Sequence, residues 1–265
     1  MMSDKGKPDK NIMDCSKWKN DIDHAVANVC IQIIKEPLSY FSEADIQQLL
    51  VEELRKIKPI SKAYSTSVQK GKDAKSKYTT SLLHREYGGE GGRRIDIVIF
   101  DPVDVAKIDN ANLKVGNDYL RPVYAFELGT EKSNNAAEHV KNDIEKLSQR
   151  TKNGIGYLIH FYKDITQSAT GTKFRDKTEE KIEKEFKQVF DKKEIEKIFK
   201  AEDIVNVRIL AILLRTFRNQ KKMWGKCEIF DGNKWIKTNI GSDEKLKGAI
   251  LEQLEKSILN AIRTC

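Results

Sequence analysis

Apolar positions recur along this chain with two periods, and the alternation between them predicts its elements. Ile22, Val26, Val29 and Ile33 return every three or four residues over Asp21–Lys35, the spacing of a helix with one buried face, and Pro37 marks its end. Ser42, followed three residues later by Asp45, resembles a capping box and opens a second helix over Glu43–Ile57, which Pro59 closes. Its apolar stripe is Ile46, Leu49, Leu50, Leu54 and Ile57. Three strand-like segments come next, Thr79–Tyr87, Arg94–Phe100 and Arg121–Leu128, the first two joined as a hairpin by GGEGG at 88–92. A helix over Asn134–Gln149 leads into GYLIHFYKD at 156–164, and a charged helical region, Lys177–Lys200, leads into VNVRILAILLRTF at 205–217. Those two apolar runs read as buried strands reached by helical crossovers. A small hairpin over Glu228–Thr238 turns at Asp231, Gly232 and Asn233, and an amphipathic helix over Lys245–Ile262 closes the chain. The expected fold is α/β, a mixed central sheet flanked by helices.

Length and charge narrow the picture. At 265 residues one elaborated core suffices. The order of elements divides it into a tail and helical extension (1–41), a core (42–217), and a hairpin and helix packed on that core (218–265). The net charge of +8 points to an anionic partner, and it concentrates at 58–78, where six Lys stand against one Asp without helical periodicity, the signature of a mobile basic loop. No apolar run approaches the roughly 18 residues of a membrane span, and the first ten residues are charged where a signal peptide would be apolar. Cys15, Cys30, Cys227 and Cys265 form no CxxC pair and stand apart from the histidines, which argues against a zinc site or disulfide framework. A cytoplasmic protein is expected.

The candidate chemistry lies in two acids inside apolar strands, Asp96 in RRIDIVIF and Glu127 in VYAFELG. A desolvated carboxylate must be paired, protonated or bound to a cation. Because side chains alternate along a strand, Glu127 shares its face with Val123, Ala125 and Gly129, small residues that leave room beside it. If Asp96 lies alongside on the neighbouring strand, the paired oxygens suit Mg²⁺, which takes hard ligands and keeps waters.

The succession SEADIQQLL, RRIDIVIF, AFELG and GYLIHFY resembles the PD-(D/E)XK nuclease superfamily, with its restriction endonucleases and junction resolvases, over roughly residues 42–165. The resemblance implies a restriction-endonuclease-like core and a metal-dependent DNA endonuclease of restriction or defence type, using Mg²⁺ or Mn²⁺, with a homodimer in keeping. It makes Asp96 and Glu127 metal ligands, the backbone carbonyl of Leu128 a further ligand, and Glu43 an auxiliary acid, with Gln47 and Glu53 as second choices. Where the family usually has Lys, this chain has Gly129. Lys141, on the border of the helical stripe formed by Ala137, Val140, Ile144 and Leu147, is the expected substitute, with Lys132 as its rival, while Lys146 is placed on the far side. The missing side chain at Gly129 is expected to make room for either.

Each feature also has a plainer reading. Asp96 pairs with Arg93 or Arg94, Glu127 reaches solvent beside Lys132, and Glu43 sits in a first helical turn that favours acids anyway. Lys141 pairs with Glu138 or Glu145 on the helix surface. For nucleic-acid contact the candidates are Lys62, Lys70, Lys72, Lys75 and Lys77, with Tyr64 and Tyr78 able to stack on bases, DNA being preferred over RNA. Glu86 and Glu90 approach the site from the adjoining strand, and Trp224 and Trp235 are expected in a small core cluster. The alternative to an enzyme is a catalytically silent nucleic-acid-binding module of the same fold. A third reading is a structural protein with merely ion-paired acids.

Overall fold

Alternating amphipathic helices and apolar strands fold into one layered α/β arrangement, described by a computed structural model. It covers residues 16–36, 39–40, 42–65, 79–88, 94–107, 120–130, 136–151, 154–166, 179–202, 204, 206–217, 223–230 and 233–240, with 252, 255, 256 and 258–260 near the C-terminus. Helices α1 (Ser16–Lys35), α2 (Glu43–Arg55) and α3 (Lys58–Ser61) precede β1 (Ala63–Ser65), β2 (Thr79–Ser81), β3 (Leu83–Tyr87) and β4 (Ile95–Ile99). The chain continues through α4 (Pro102–Ala106), β5 (Tyr124–Gly129), α5 (Ala136–Arg150), β6 (Ile155–Thr166), α6 (Glu179–Val189) and α7 (Lys192–Ala201) to β7 (Val207–Phe217), β8 (Met223–Phe230) and β9 (Trp235–Ile240).

Seven strands form a sheet in sequence order from β3 to β9. The pairs β5–β6 and β6–β7 are parallel and the others antiparallel, so the sheet is mixed. The two parallel pairs are joined through α5 and through α6 and α7, and β5 is buried along its whole length. Tyr157 Oη donates to Asp23 of α1 at 2.6 Å, whereas Gly156, on the opposite side of the same strand, lies under Leu147 of α5. Helices therefore cover both faces, α1 and α2 on one, α5 to α7 on the other. One hydrophobic cluster joins α1, α2, α5 and the sheet.

Local sequence accounts for most boundaries. At Ser42 both arms of the capping box form: its hydroxyl accepts from Asp45 N–H at 3.3 Å, and Asp45 accepts from Ser42 N–H at 2.8 Å. The charged region expected as one helix is two, because Asp191 caps the start of α7 by accepting from Lys193 and Glu194 N–H. The expected strand over Thr79–Tyr87 breaks at Leu82, and its first part pairs with β1 in a separate two-stranded sheet. Residues 58–65, assigned above to the basic loop, instead form α3 and β1, while 66–78 lie outside the described residues. The C-terminal hairpin is longer than expected, β8 beginning at Met223. Among the described residues no helix is long and apolar enough to cross a membrane.

Candidate active site

Asp96 and Glu127 meet where two strands end their pairing. The β4–β5 register runs from Ile99↔Tyr124 to Ile97↔Phe126, so the two acids stand one step beyond the last pair, on one face of the sheet. The backbone N–H of Leu128 donates to Asp96 Oδ2 at 2.7 Å, so a side chain takes the place of a strand partner. Glu127 is buried, and Asp96 is half-buried.

The cation beside them is Lys146, from α5. Its Nζ lies 2.6 Å from Glu127 Oε1 and 3.1 Å from Asp143 Oδ1, and donates to the Arg94 carbonyl at 3.0 Å. The two carboxylates pair with the ammonium by charge, and the Arg94 carbonyl is its directed hydrogen-bond acceptor. Lys141 is elsewhere: its side chain is 56% exposed, against 14% for Lys146, and it pairs with Glu145 at 3.8 Å. This corrects the expectation of Lys141 as the neighbouring cation. At 100° per residue the expected stripe leaves Lys141 about 80° from its centre and Lys146 about 140°, but Ala137 is exposed and Asp143 buried, which turns the buried face of α5 towards Lys146. The seating of α5 on the sheet decides, and a lysine stem is long enough to reach back from that flank. Lys132 lies outside the described residues.

Charge is unbalanced here. Burial lifts the Asp96 carboxyl from 3.8 to about 6, offset in part by the Leu128 N–H and Lys146 and reinforced by Asp143 and Glu86. Burial, then the charges of Asp96 and Asp143, push Glu127 up despite Lys146. Burial pulls Lys146 down, but Glu127 and Asp143 together outweigh it, so the ammonium stays protonated. Beside Lys146, a second basic group at the three carboxylates is His139, whose Nε2 lies 3.6 Å from Asp143 Oδ2; one ammonium does not neutralise three carboxylates in a desolvated place, so the cluster retains a proton or takes a further cation.

A divalent ion fits that description. Glu127 Oε1 is buried and, for all its closeness to Lys146, makes no directed hydrogen bond. Among the described residues no three His, Cys, Asp or Glu side chains converge to enclose an ion. An ion would therefore rest on Asp96 and Glu127 and complete its shell with water or substrate oxygens, the habit of Mg²⁺.

On the α2 side Gln47, one turn after Glu43, reaches the site. Gln47 Nε2 donates to the Asp96 carbonyl at 3.2 Å and to Glu86 Oε1 at 3.1 Å. Glu43 is half-buried in the first turn of α2, and Glu53 is turned towards α1, accepting from Gln32 at 3.0 Å. Glu86, exposed on β3, has a left-handed backbone with φ 49°.

Gly129 is crowded. A Cβ there would lie 2.5 Å from His160 Nδ1, so the imidazole fills the space that a missing side chain was expected to leave. His160, buried on β6 opposite Gly129, meets Phe190 edge-on at 5.0 Å. Asp143 and His160 were not singled out in the sequence. The only hint of Asp143 was a polar residue adjoining the Val140–Ile144–Leu147 stripe.

Among the candidate nucleic-acid contacts, Lys62 is exposed at the end of α3, while Lys70, Lys72, Lys75, Lys77 and Tyr78 lie outside the described residues, as does Glu90. Tyr64 donates to the Pro59 carbonyl at 2.9 Å and packs on the core. Trp235 packs against Phe230 at 4.9 Å, while the side chain of Trp224 lies outside the described residues. In comparisons with known proteins, no family model and no curated protein matches the chain.

Proposed function

We propose that this chain is a divalent-ion-dependent phosphodiester hydrolase, acting on DNA in preference to RNA, with its active site at Asp96, Glu127 and Lys146. The observation that carries the reading is Lys146: an ammonium brought from α5 onto a buried pair of strand carboxylates, at 2.6 Å from Glu127. The succession of α2, the three main-sheet strands β3, β4 and β5, then α5 and β6 supports it, as does the net charge of +8. Asp96 and Glu127 are the residues that would hold Mg²⁺ or Mn²⁺, which supplies Lewis-acid stabilisation of charge building on the phosphoryl group. Lys146 orients and polarises the attacking water, the task that needs a cation but no particular backbone position. Asp143 and the Arg94 carbonyl anchor the ammonium independently of Glu127. The lysines between 58 and 78 contribute affinity for the phosphate backbone, lost steeply as salt rises.

The test is incubation of supercoiled plasmid, linear duplex and RNA with the purified protein in Mg²⁺, Mn²⁺ or EDTA, beside Glu127→Gln. Ion-dependent cleavage, stronger on DNA and lost in the variant, is expected. No cleavage of any substrate with either ion would overturn the proposal, and salt-sensitive binding without cleavage would favour the silent binding module.

A further inference from the structure

We infer that Gln47 is a positioning residue that sets the geometry of the Asp96–Glu127 pair. Past Ile97↔Phe126 the β4–β5 pairing stops, and two bonds from outside the ladder hold Asp96. Leu128 N–H donates to its carboxyl at 2.7 Å, and Gln47 Nε2 donates to its carbonyl at 3.2 Å. Only the second comes from another layer of the fold. Gln47 is buried, and its amide has one orientation that suits its neighbours. Arg85 donates to Gln47 Oε1 from Nε at 3.1 Å and again from Nη2, and reaches Gln48 Oε1 at 3.2 Å. With the oxygen thus committed, both Nε2 protons face the strands, one to Asp96 and one to Glu86.

Glu86 bears out how directional this arrangement is. It holds a left-handed backbone, φ 49°, that a residue with a Cβ adopts only when its surroundings enforce it. Its carboxylate is bonded to the same Gln47 amide that holds Asp96, so α2, β3 and β4 are tied together at the point where β4 and β5 part. A carboxylate at position 47 would keep the Arg85 bond and lose both donors, setting its charge against Glu86 and the Asp96 carbonyl.

The consequence for rate rests on the phosphodiesterase reading, but the consequence for geometry does not, and the experiment separates them. Gln47→Glu and Gln47→Leu are compared with the wild type by amide hydrogen exchange at Leu128, thermal melting, and kcat and KM for plasmid cleavage. The expected result is Leu128 N–H exchange faster by about tenfold, the worth of one hydrogen bond, with kcat lower by at least about tenfold at little-changed KM. If Gln47→Leu does not fold, Gln47→Glu, which retains the Arg85 partner, carries the test. Unchanged Leu128 exchange, or a lowered melting temperature with wild-type kcat, overturns the inference. Faster exchange in a protein whose wild type cleaves nothing supports the positioning by Gln47 and removes the phosphodiesterase reading instead.

Discussion

Replacing Asp96 with Asn is expected to stabilise the protein while disabling its site, by an amount that depends on pH. Folding lifts this carboxyl from 3.8 to about 6, burial being the largest cause, with Asp143 and Glu86 adding to it and Leu128 N–H and Lys146 opposing. The native state therefore binds the proton more tightly than the unfolded chain. Stability falls as pH rises between those two values, is unaffected by the group below them, and bears the full cost above pH about 6. At 1.36 kcal/mol per pH unit the cost is about 3 kcal/mol, a ceiling because Asp96 is half-buried and solvent screens part of it. Asparagine has no charge to desolvate, and its Oδ1 can still accept from Leu128 N–H. Removing the charge also relieves Glu127, for which Asp96 is the second cause of its upward push. Urea unfolding in EDTA should thus find the variant more stable by up to about 3 kcal/mol at pH 8, with the difference nearly gone at pH 4. Adding Mg²⁺ at about 100 times its dissociation constant should return about 2.7 kcal/mol to the wild type alone and close the gap. A variant less stable than the wild type at pH 8, or a difference independent of pH, would refute the electrostatic reasoning.

Two further outcomes follow from packing. Gly129→Ala places a methyl 2.5 Å from His160 Nδ1 and should cost about 1–3 kcal/mol in urea unfolding, most of it recovered in a His160→Ala background; a tolerated single variant would contradict the crowding. Asp23→Ala strips Arg208, 5% exposed, of a carboxylate at 3.3 Å and Tyr157 of its 2.6 Å acceptor, so a loss of about 3–5 kcal/mol is expected, and a change within about 0.5 kcal/mol would show that α1 is not held by this network.

Legibility in the sequence followed the range of the interactions concerned. The Ser42–Asp45 cap and the apolar runs of β6 and β7 depend on neighbours in sequence or on burial of a whole segment, and both are visible in the letters. The proximity of Asp96 and Glu127 needed only three strands in order. The seating of α5 was not legible, since periodicity puts Lys141 on the border of the stripe and Lys146 on its far side, and tertiary packing buries Asp143 in place of Ala137 and brings Lys146 to the acids. Nor was the Gly129–His160 contact, which joins residues 31 positions apart through strand register. Gln47 stood only as a second choice behind Glu43, and only the fold places Arg85 against its oxygen and the Asp96 carbonyl against its nitrogen.

The central claim is that Asp96, Glu127 and Lys146 act together, with the cation taken from that flank of α5. Its most direct test is single-turnover nicking of supercoiled plasmid in Mg²⁺ by wild type, Lys146→Met and Lys141→Met, with folding checked by thermal melting. The account predicts a loss of at least about a hundredfold for Lys146→Met and a near wild-type rate for Lys141→Met. Equal rates for the two variants, or a loss confined to Lys141→Met, would contradict it.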